Sequence, residues 1–500
     1  SLICDKEDNL YVFGSTSSLD FPIVNGFQPT HGGGTPIAIS SNGTNFGIVG
    51  TDIYVAKFSA NGHNLLGSTY VGGDKNDGIN YMIGAGNYPS PAAYDSLTTN
   101  YGDQFRGEIM LDSLNNIIVG SCSRSANFPT NYAFQPVLAG QQDGVVFKLK
   151  NDFSSLLFSS FYGGAEADAI YSVKIDSSYN IVFAGGTTSL DLNISPGVYQ
   201  NANAGGEADG FIGKLSPNGY NLTHSTYLGT SNYDQVFFVE IDRLDNVFVL
   251  GQSNGGAFPV INAAYSNPNS SQFIAKLNPD LSILEGSTVF GSGSSTFDLS
   301  PSAFLVDICG NMYVSGWGGS VFPNTPAMTA MPVTPDAFQG TAPSGYDFYL
   351  MVIERDFNSL LYGTYLGSPS SKEHVDGGTS RFDKNGVVYQ GVCGGCGGFS
   401  DFPTTPGAWS NQNLAGNCNA LTFKFDFNLI PKAEFSVDFE TGCAPFEVSF
   451  NNSSSQSDSY LWDFGNGDFD STTLNPTIIY NQPGTYEVVL MVTDSICLLT

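Results

Sequence analysis

One short segment recurs six times along roughly the first 430 residues, and that recurrence limits the chain to a few architectures. Asp8-Asn9-Leu10-Tyr11-Val12-Phe13-Gly14 returns as Asn115-Asn116-Ile117-Ile118-Val119-Gly120 and as Tyr179-Asn180-Ile181-Val182-Phe183-Ala184-Gly185. Three more copies are Asp245-Asn246-Val247-Phe248-Val249-Leu250-Gly251, Gly310-Asn311-Met312-Tyr313-Val314-Ser315-Gly316 and Asn385-Gly386-Val387-Val388-Tyr389-Gln390-Gly391. The closing glycines are 106, 65, 66, 65 and 75 residues apart. The long first interval holds two inserts, near residues 30–50 and 80–105, which read as surface loops rich in Gly, Asn, Ser and Tyr.

Each copy carries further elements. An aromatic-proline step follows the glycine at Phe21-Pro22, Phe128-Pro129, Phe258-Pro259, Phe322-Pro323 and Phe402-Pro403, while the third copy reads Leu192-Asn193-Ile194. An apolar strand ending in Lys comes next (52–57, 143–148, 209–214, 273–276, 420–424), with Val352 replacing the Lys in the fifth copy. A Ser/Thr-aromatic-Gly strand closes the repeat, as in Ser68-Thr69-Tyr70-Val71-Gly72 and Ser225-Thr226-Tyr227-Leu228-Gly229.

These are four short strands per repeat. Asn, Asp and Gly accept the positive φ of tight hairpins, and the strands are β-branched and aromatic. They are apolar on both faces, as in a sheet covered on both sides. A β-propeller supplies that environment, because each blade is sandwiched between two neighbours. No 3.6-residue periodicity supports a helical repeat. Six blades are visible, and the sixth lacks its fourth strand. The chain opens at Ser1 inside a strand, so it reads as a segment of a longer protein, with one blade expected upstream.

The pattern resembles the bacterial SBBP family of seven-bladed β-propeller repeats over residues 1–430. That resemblance implies seven blades in the intact protein. The stretches Gly377-Gly378-Thr379-Ser380-Arg381-Phe382-Asp383 and Cys393-Gly394-Gly395-Cys396-Gly397-Gly398 resemble those of large secreted, gliding motility-associated proteins. Residues 431–500 change pattern, and Tyr460-Leu461-Trp462-Asp463-Phe464-Gly465-Asn466-Gly467 resembles the signature of a PKD domain, an immunoglobulin-like sandwich. That resemblance implies Trp462 as the core aromatic with Tyr486 as its neighbour, and a Cys443–Cys497 pair.

Composition narrows function. There are 46 acidic against 17 basic residues, a net charge of −29, which repels nucleic acid and anionic membranes. No apolar stretch reaches the roughly 20 residues of a transmembrane helix. The Cys393/Cys396 pair lacks the helix N-terminus that thioredoxin chemistry needs and the two further ligands that zinc needs. Structural disulfides drawn from Cys309, Cys393, Cys396 and Cys418 are therefore expected. One acidic series recurs once per blade after the fourth strand: Asp77, Asp168, Asp234, Asp298 and Asp376. As a ring at one mouth of the channel it would suit a hard cation such as Ca²⁺; alternatively, each Asp hydrogen-bonds its own turn. Asp5, Asp112, Asp176, Asp242, Asp307 and Asp383 precede the hairpins and are expected to cap them.

No catalytic residue stands out. Five Arg are scattered, and no Ser-x-Asp-x-Gly-x-Thr-Trp turn of the sialidase kind is present. The expectation is an all-β, non-enzymatic, secreted cell-surface protein. The family resemblance adds type IX export and adhesion, with polysaccharide or other surface components as partners. The alternative is a carbohydrate-active propeller enzyme, a glycosidase or lyase, with a PKD accessory domain.

Overall fold

The computed structural model describes residues 1–38, 45–46, 49–81, 97–100, 102–318, 328, 330–375, 380–427, 429 and 431–494. Six antiparallel sheets follow one another, each hydrogen-bonded in chain order. Sheet one is Leu2–Cys4, Leu10–Thr16, Asp52–Phe58 and Leu65–Val71. Sheet two is Glu108–Leu111, Ile117–Ser123, Asp143–Leu149 and Leu156–Tyr162. Sheet three is Asp168–Ile175, Ile181–Thr187, Asp209–Leu215 and Leu222–Leu228. Sheet four is Asp234–Ile241, Val247–Ser253, Gln272–Leu277 and Leu284–Phe290. Sheet five is Leu299–Val306, Met312–Gly318, Phe348–Ile353 and Leu360–Leu366. Sheet six has three strands, Arg381–Phe382, Val388–Gly394 and Asn419–Phe425. The first strands of consecutive sheets lie side by side, which makes them the inner strands of a β-propeller.

The hairpin aspartates cap their turns. Asp5, Asp112, Asp176, Asp242 and Asp307 each accept the backbone N–H of the Asn four residues on at 2.8–2.9 Å. They also accept that Asn's side-chain amide at 2.8–3.1 Å. The Lys that ends the third strand completes the cap: Lys57 reaches Asp5 at 3.3 Å, Lys148 reaches Asp112 at 2.7 Å and Lys214 reaches Asp176 at 2.8 Å. Burial pushes these three carboxyls up, but the Asn and Lys contacts outweigh it and hold them below the usual range. Where Val352 replaces the Lys, burial leaves Asp307 raised. Val352→Lys is therefore expected to lower the Asp307 pKa and to add about 1.5 kcal/mol at neutral pH in urea unfolding, the low end of the range for a hydrogen bond to a charged group. A destabilised variant would show that the apolar packing of Val352 outweighs the missing ion pair.

Outside the sheets, the aromatic-proline step packs on strands three and four. Phe128 lies 6.3 Å from Phe147 and 5.9 Å from Phe161, and Phe258 stacks on Phe273 at 3.7 Å. Leu192 fills this place in sheet three and is buried; Phe322 lies outside the described residues. Fourth-strand tyrosines lock the same loop, with Tyr70 accepting Phe21 N–H and Tyr227 accepting Leu192 N–H, both at 3.0 Å. In the loops of sheets one, two, three and five a glutamine further along (Gln28, Gln135, Gln200, Gln339) accepts the N–H of the glycine that ends the fourth strand at 2.8–3.1 Å.

Sheet six departs from the others. Its second strand alternates between buried Val388, Gln390 and Val392 and exposed Tyr389 and Gly391. Phe338 of sheet five packs on Phe425 of sheet six at 6.4 Å, whereas the equivalent Trp409 is fully exposed. On sheet one, Leu2 and Cys4 are exposed while Tyr11 and Phe13 are buried against sheet two.

The first compact unit comprises Ser1–Asp383 and Val388–Phe425, and the second Lys384–Val387 and Asp426–Thr500. The boundary thus falls at 425/426, where the last propeller strand ends, against the 430/431 read from sequence. In the second unit Phe435–Val437, Phe446–Asn452 and Thr477–Tyr480 form one sheet; Phe469–Asp470, Ser459–Asp463 and Val489–Thr493 form the other. Trp462 is fully buried among Phe435 at 5.2 Å, Phe450 at 5.3 Å and Phe464 at 6.3 Å. Tyr486 stacks instead on Tyr480 at 4.2 Å, because Tyr480 faces the same edge of the core and anchors its hydroxyl on the Phe464 carbonyl.

Candidate functional site

The aspartate series sits where each sheet hands over to the next. Asp168 and Asp234 open the first strands of sheets three and four, and Asp298 directly precedes that of sheet five. Asp77, Asp168, Asp234 and Asp298 are all buried, and each serves its own junction. Asp77 accepts Gly73 N–H at 2.7 Å and the Ser125 hydroxyl at 2.9 Å, as well as the Ser123 hydroxyl. Asp168 accepts Gly164 N–H at 2.8 Å and the Ser189 hydroxyl at 2.9 Å. Asp234 accepts Thr230 N–H at 2.6 Å, and Asp298 accepts Ser292 N–H at 2.8 Å. The turn-binding alternative describes this bonding. Asp376 lies outside the described residues.

A second aspartate heads the third strand of sheets one, two and three. Asp52 accepts Gly32 N–H at 2.7 Å, Asp143 accepts Ala139 and Gly140 N–H at 2.9 and 3.0 Å, and Asp209 accepts Ala204 N–H at 2.6 Å. Gly163 passes between Asp143 and Asp168. A Cβ there would come within 2.6 Å of the first carboxyl and 2.7 Å of the second, so only glycine fits. Burial raises Asp52, Asp77, Asp168 and Asp209 to about 7 and Asp143 to about 6; the partner carboxylate of the junction adds to the shift for Asp77, Asp168 and Asp209, and Asp191 adds to that for Asp143. Among the described residues no three His, Cys, Asp or Glu side chains converge as a metal-ligand set.

The described end of the second insert does not behave as a surface loop. Its described part, residues 97–100 and 102–106, is largely buried and reaches sheets three, four and five. The Leu97 carbonyl accepts the Tyr171 hydroxyl at 3.0 Å, Thr99 meets Tyr233 at 2.7 Å, and Asn100 donates to Gln252 at 2.8 Å. Arg106 pairs with Asp103 at 2.5 Å, donates to Ser300 and the Pro301 carbonyl at 3.2 and 3.1 Å, and lies 4.4 Å above the Phe237 ring. Polar side chains that look loop-like in sequence here meet groups on or beside sheets three, four and five, and these described residues plug the channel.

A charge cluster occupies inner strands further along. Glu108 pairs with Lys174 at 2.7 Å and Arg381 at 3.3 Å, and accepts the Ser172 hydroxyl at 2.5 Å and Val173 N–H at 2.9 Å. Lys174 also pairs with Glu240 at 3.1 Å, and Arg381 donates to the Ile109 carbonyl. Sheets two, three, four and six are thereby tied together. Burial pushes Glu108 up, but Lys174 and Arg381 pull it below the usual range; Glu240, farther from Arg381, is raised to about 6 by burial. Lys174, Glu240 and Arg381 each stand two residues before a hairpin aspartate, where other copies carry Ile3, Met110 and Leu305. A charged residue at an inward strand position is the signal that locates them.

The cysteines follow strand register. Cys396 and Cys418 form a disulfide, and Cys309 is disulfide-bonded as well. Cys393, expected among the disulfide candidates, stays out of this bridge, because the register places it opposite Ala420 while Cys396, beyond the strand end, meets Cys418. Cys443 is an exposed free thiol in the turn before Phe446, so the Cys443–Cys497 pair is not made; Cys497 lies outside the described residues. With Cys396 oxidised, neither dithiol chemistry nor a zinc site at the 393/396 pair survives. No helix among the described residues is long and apolar enough to cross a membrane.

Over 71 residues the chain is 45% identical to the pre-pro-metalloprotease PrtV of Vibrio cholerae serotype O1, covering 13% of this chain and 7% of that protein. The chain thus spans a small fraction of that relative's length. Among solved structures, a polysaccharide lyase, an ulvan lyase, is similar over 86% of this chain and 93% of its own at 12% identity and a TM-score of 0.33. A NanB sialidase mutant from Streptococcus pneumoniae is similar over 86% and 68% at 9% identity and a TM-score of 0.38. Likenesses this weak carry no argument about activity. Residues 428–496 match the family model described as a PKD domain, and the sandwich around Trp462 supplies the core such a domain needs. The second unit of the chain is a PKD domain.

Proposed function

We propose that this chain is a non-enzymatic, secreted cell-surface protein whose propeller is a rigid binding module and whose PKD domain belongs to a series of such spacers. The observation that carries the reading is how the channel is used. Residues 97–100 and 102–106 plug it, and its inner charges, Glu108, Lys174, Glu240 and Arg381, neutralise one another across four sheets. A disulfide and a PKD domain are consistent with an extracellular location. The resemblance of the repeats to SBBP and gliding-associated proteins adds adhesion and type IX export to the reading. It also assigns the uncovered faces of sheets one and six to a seventh sheet.

One observation favours a carbohydrate-active enzyme as the second reading: Glu108 and Glu240 share the Lys174 ammonium, and Glu240 is raised to about 6, as a general acid would be. A glycan array run beside a reducing-end assay separates the two. Capture without turnover is the expected result. Turnover lost in both Glu108→Gln and Glu240→Gln would replace the first reading with the second.

A further inference from the structure

Among the described residues, two turn positions carry an exposed aromatic residue that the backbone disfavours. The hairpin position three after the capping aspartate is left-handed in every copy, and Asp8, Asn115, Asp245, Gly310 and Gly386 hold it at φ of 60°, 58°, 64°, 86° and 81°. Sheet three places Tyr179 there, at φ 64°. In the loop after the second strand, Asn25 and Asn262 hold a second left-handed position at φ 56° and 49°, and sheet two places Tyr132 there at φ 46°. A Cβ-bearing aromatic is strained in this conformation, whereas Asn, Asp and Gly are not. Neither ring is recovered as core: Tyr179 is 54% exposed and Tyr132 64%.

Both tyrosines lie at the junction of sheets two and three, beside one turn. Tyr132 stacks on Tyr220 at 4.6 Å with the planes 20° apart. Pro217, three residues before Tyr220, joins Tyr179 as a wall of a cavity of about 260 Å³ floored by Ile118 and Ile175. Its polar rim is Ser113, Lys148 and Asp112. The Asp112 oxygens are taken up by Leu114 N–H, Asn116 N–H, the Asn116 amide and Lys148. The rim therefore offers donors: the Ser113 hydroxyl and the Lys148 protons that Asp112 leaves.

We infer that this cavity and the adjoining tyrosine stack form a binding site for a neutral glycan chain. One pyranose ring sits against Tyr179, and a neighbouring ring lies along the Tyr132–Tyr220 stack. Flat amphipathic faces beside a few fixed donors suit a sugar, which is apolar on its ring faces and hydroxylated at its edge. The volume admits a hexose. A net charge of −29 disfavours polyanionic glycans, which selects the neutral class. The inference rests on the reading of the propeller as a binding module and adds its place and ligand class.

The test is calorimetric titration of the intact chain with cellohexaose, laminarihexaose and chitohexaose, repeated with Tyr179→Asn and Tyr132→Asn. At least one sugar binds the wild type, and each variant weakens it about tenfold or more, the loss of one aromatic contact pair. Melting temperature supplies a readout that a structural role would move the other way. Because Asn relieves a left-handed Tyr, both variants keep or raise it by about 1–2 °C. Equal binding by wild type and variants overturns this site while leaving the binding-module reading intact. A melting temperature lowered by both substitutions makes the tyrosines structural and overturns it too. No binding of any of the three sugars, or binding of a proline-rich peptide in their place, overturns the ligand class.

Discussion

Glu108→Gln is expected to destabilise the propeller by about 3–5 kcal/mol, the usual consequence of removing one partner from a buried ion pair. The carboxylate is buried and neutralises both Lys174 and Arg381, so its loss leaves two cations facing each other with Glu240 as the remaining anion. Urea unfolding at neutral pH measures the effect. Replacing Glu108 with Leu and Lys174 with Met together is expected to cost less than the sum of the two single changes, because neither member of this pair strands the other, although Arg381 and Glu240 each lose a partner. A single substitution within about 1 kcal/mol of wild type would mean that water reaches the cluster freely and that it does not hold the four sheets.

Stability is expected to be higher at about pH 5 than at about pH 8. The sign follows from the buried junction carboxyls. Asp52, Asp77, Asp168 and Asp209 are raised from 3.8 to about 7, and Asp143 to about 6, while Glu240 rises from 4.5 to about 6. The native state therefore holds protons that the unfolded chain has released. Their stabilisation is complete below the unfolded values and is lost as pH rises through 6 to 7. Asp5, Asp112, Asp176 and Glu108 are lowered, so their contribution is lost in the opposite direction, as pH falls below the usual carboxyl range. Each raised carboxyl contributes about 1–2 kcal/mol to the difference. Asp209→Asn, which keeps an acceptor for Ala204 N–H, is expected to flatten the alkaline limb and to stabilise the chain at about pH 8. A melting temperature that rises steadily from pH 5 to pH 8 would contradict this account.

The parts of the fold that repeat were legible in the sequence because repetition makes a weak local signal strong. The capping aspartate and the Asn four residues on recur together and touch in five copies, and in three of them the strand-ending Lys joins the contact. The recurrent glutamine of Gln28, Gln135, Gln200 and Gln339 carried the same kind of signal, but its fixed relation to the fourth-strand glycine is visible only once strand and loop lie side by side. The charge cluster was harder to see. Glu108, Lys174, Glu240 and Arg381 come from four copies, differ in identity and are brought together by ring closure, which no local pattern encodes. The plug at residues 97–100 and 102–106 is hidden for a related reason: its polarity, which suggests solvent, is met by groups of sheets four and five and the turn before sheet four, such as Gln252, Ser300 and Tyr233. For the cysteines, spacing favoured Cys393 as much as Cys396, and only the strand register separates them.

The central claim is that the acidic residues of this chain are used by its architecture, each junction aspartate by its own turn. Titration with calcium, followed by calorimetry and melting temperature at about pH 5 and about pH 8, tests it most directly. The account predicts no saturable heat and no shift at millimolar calcium. Saturable binding that raises the melting temperature by several degrees, and that is lost in Asp168→Asn, would show that the series is a cation site and would contradict it.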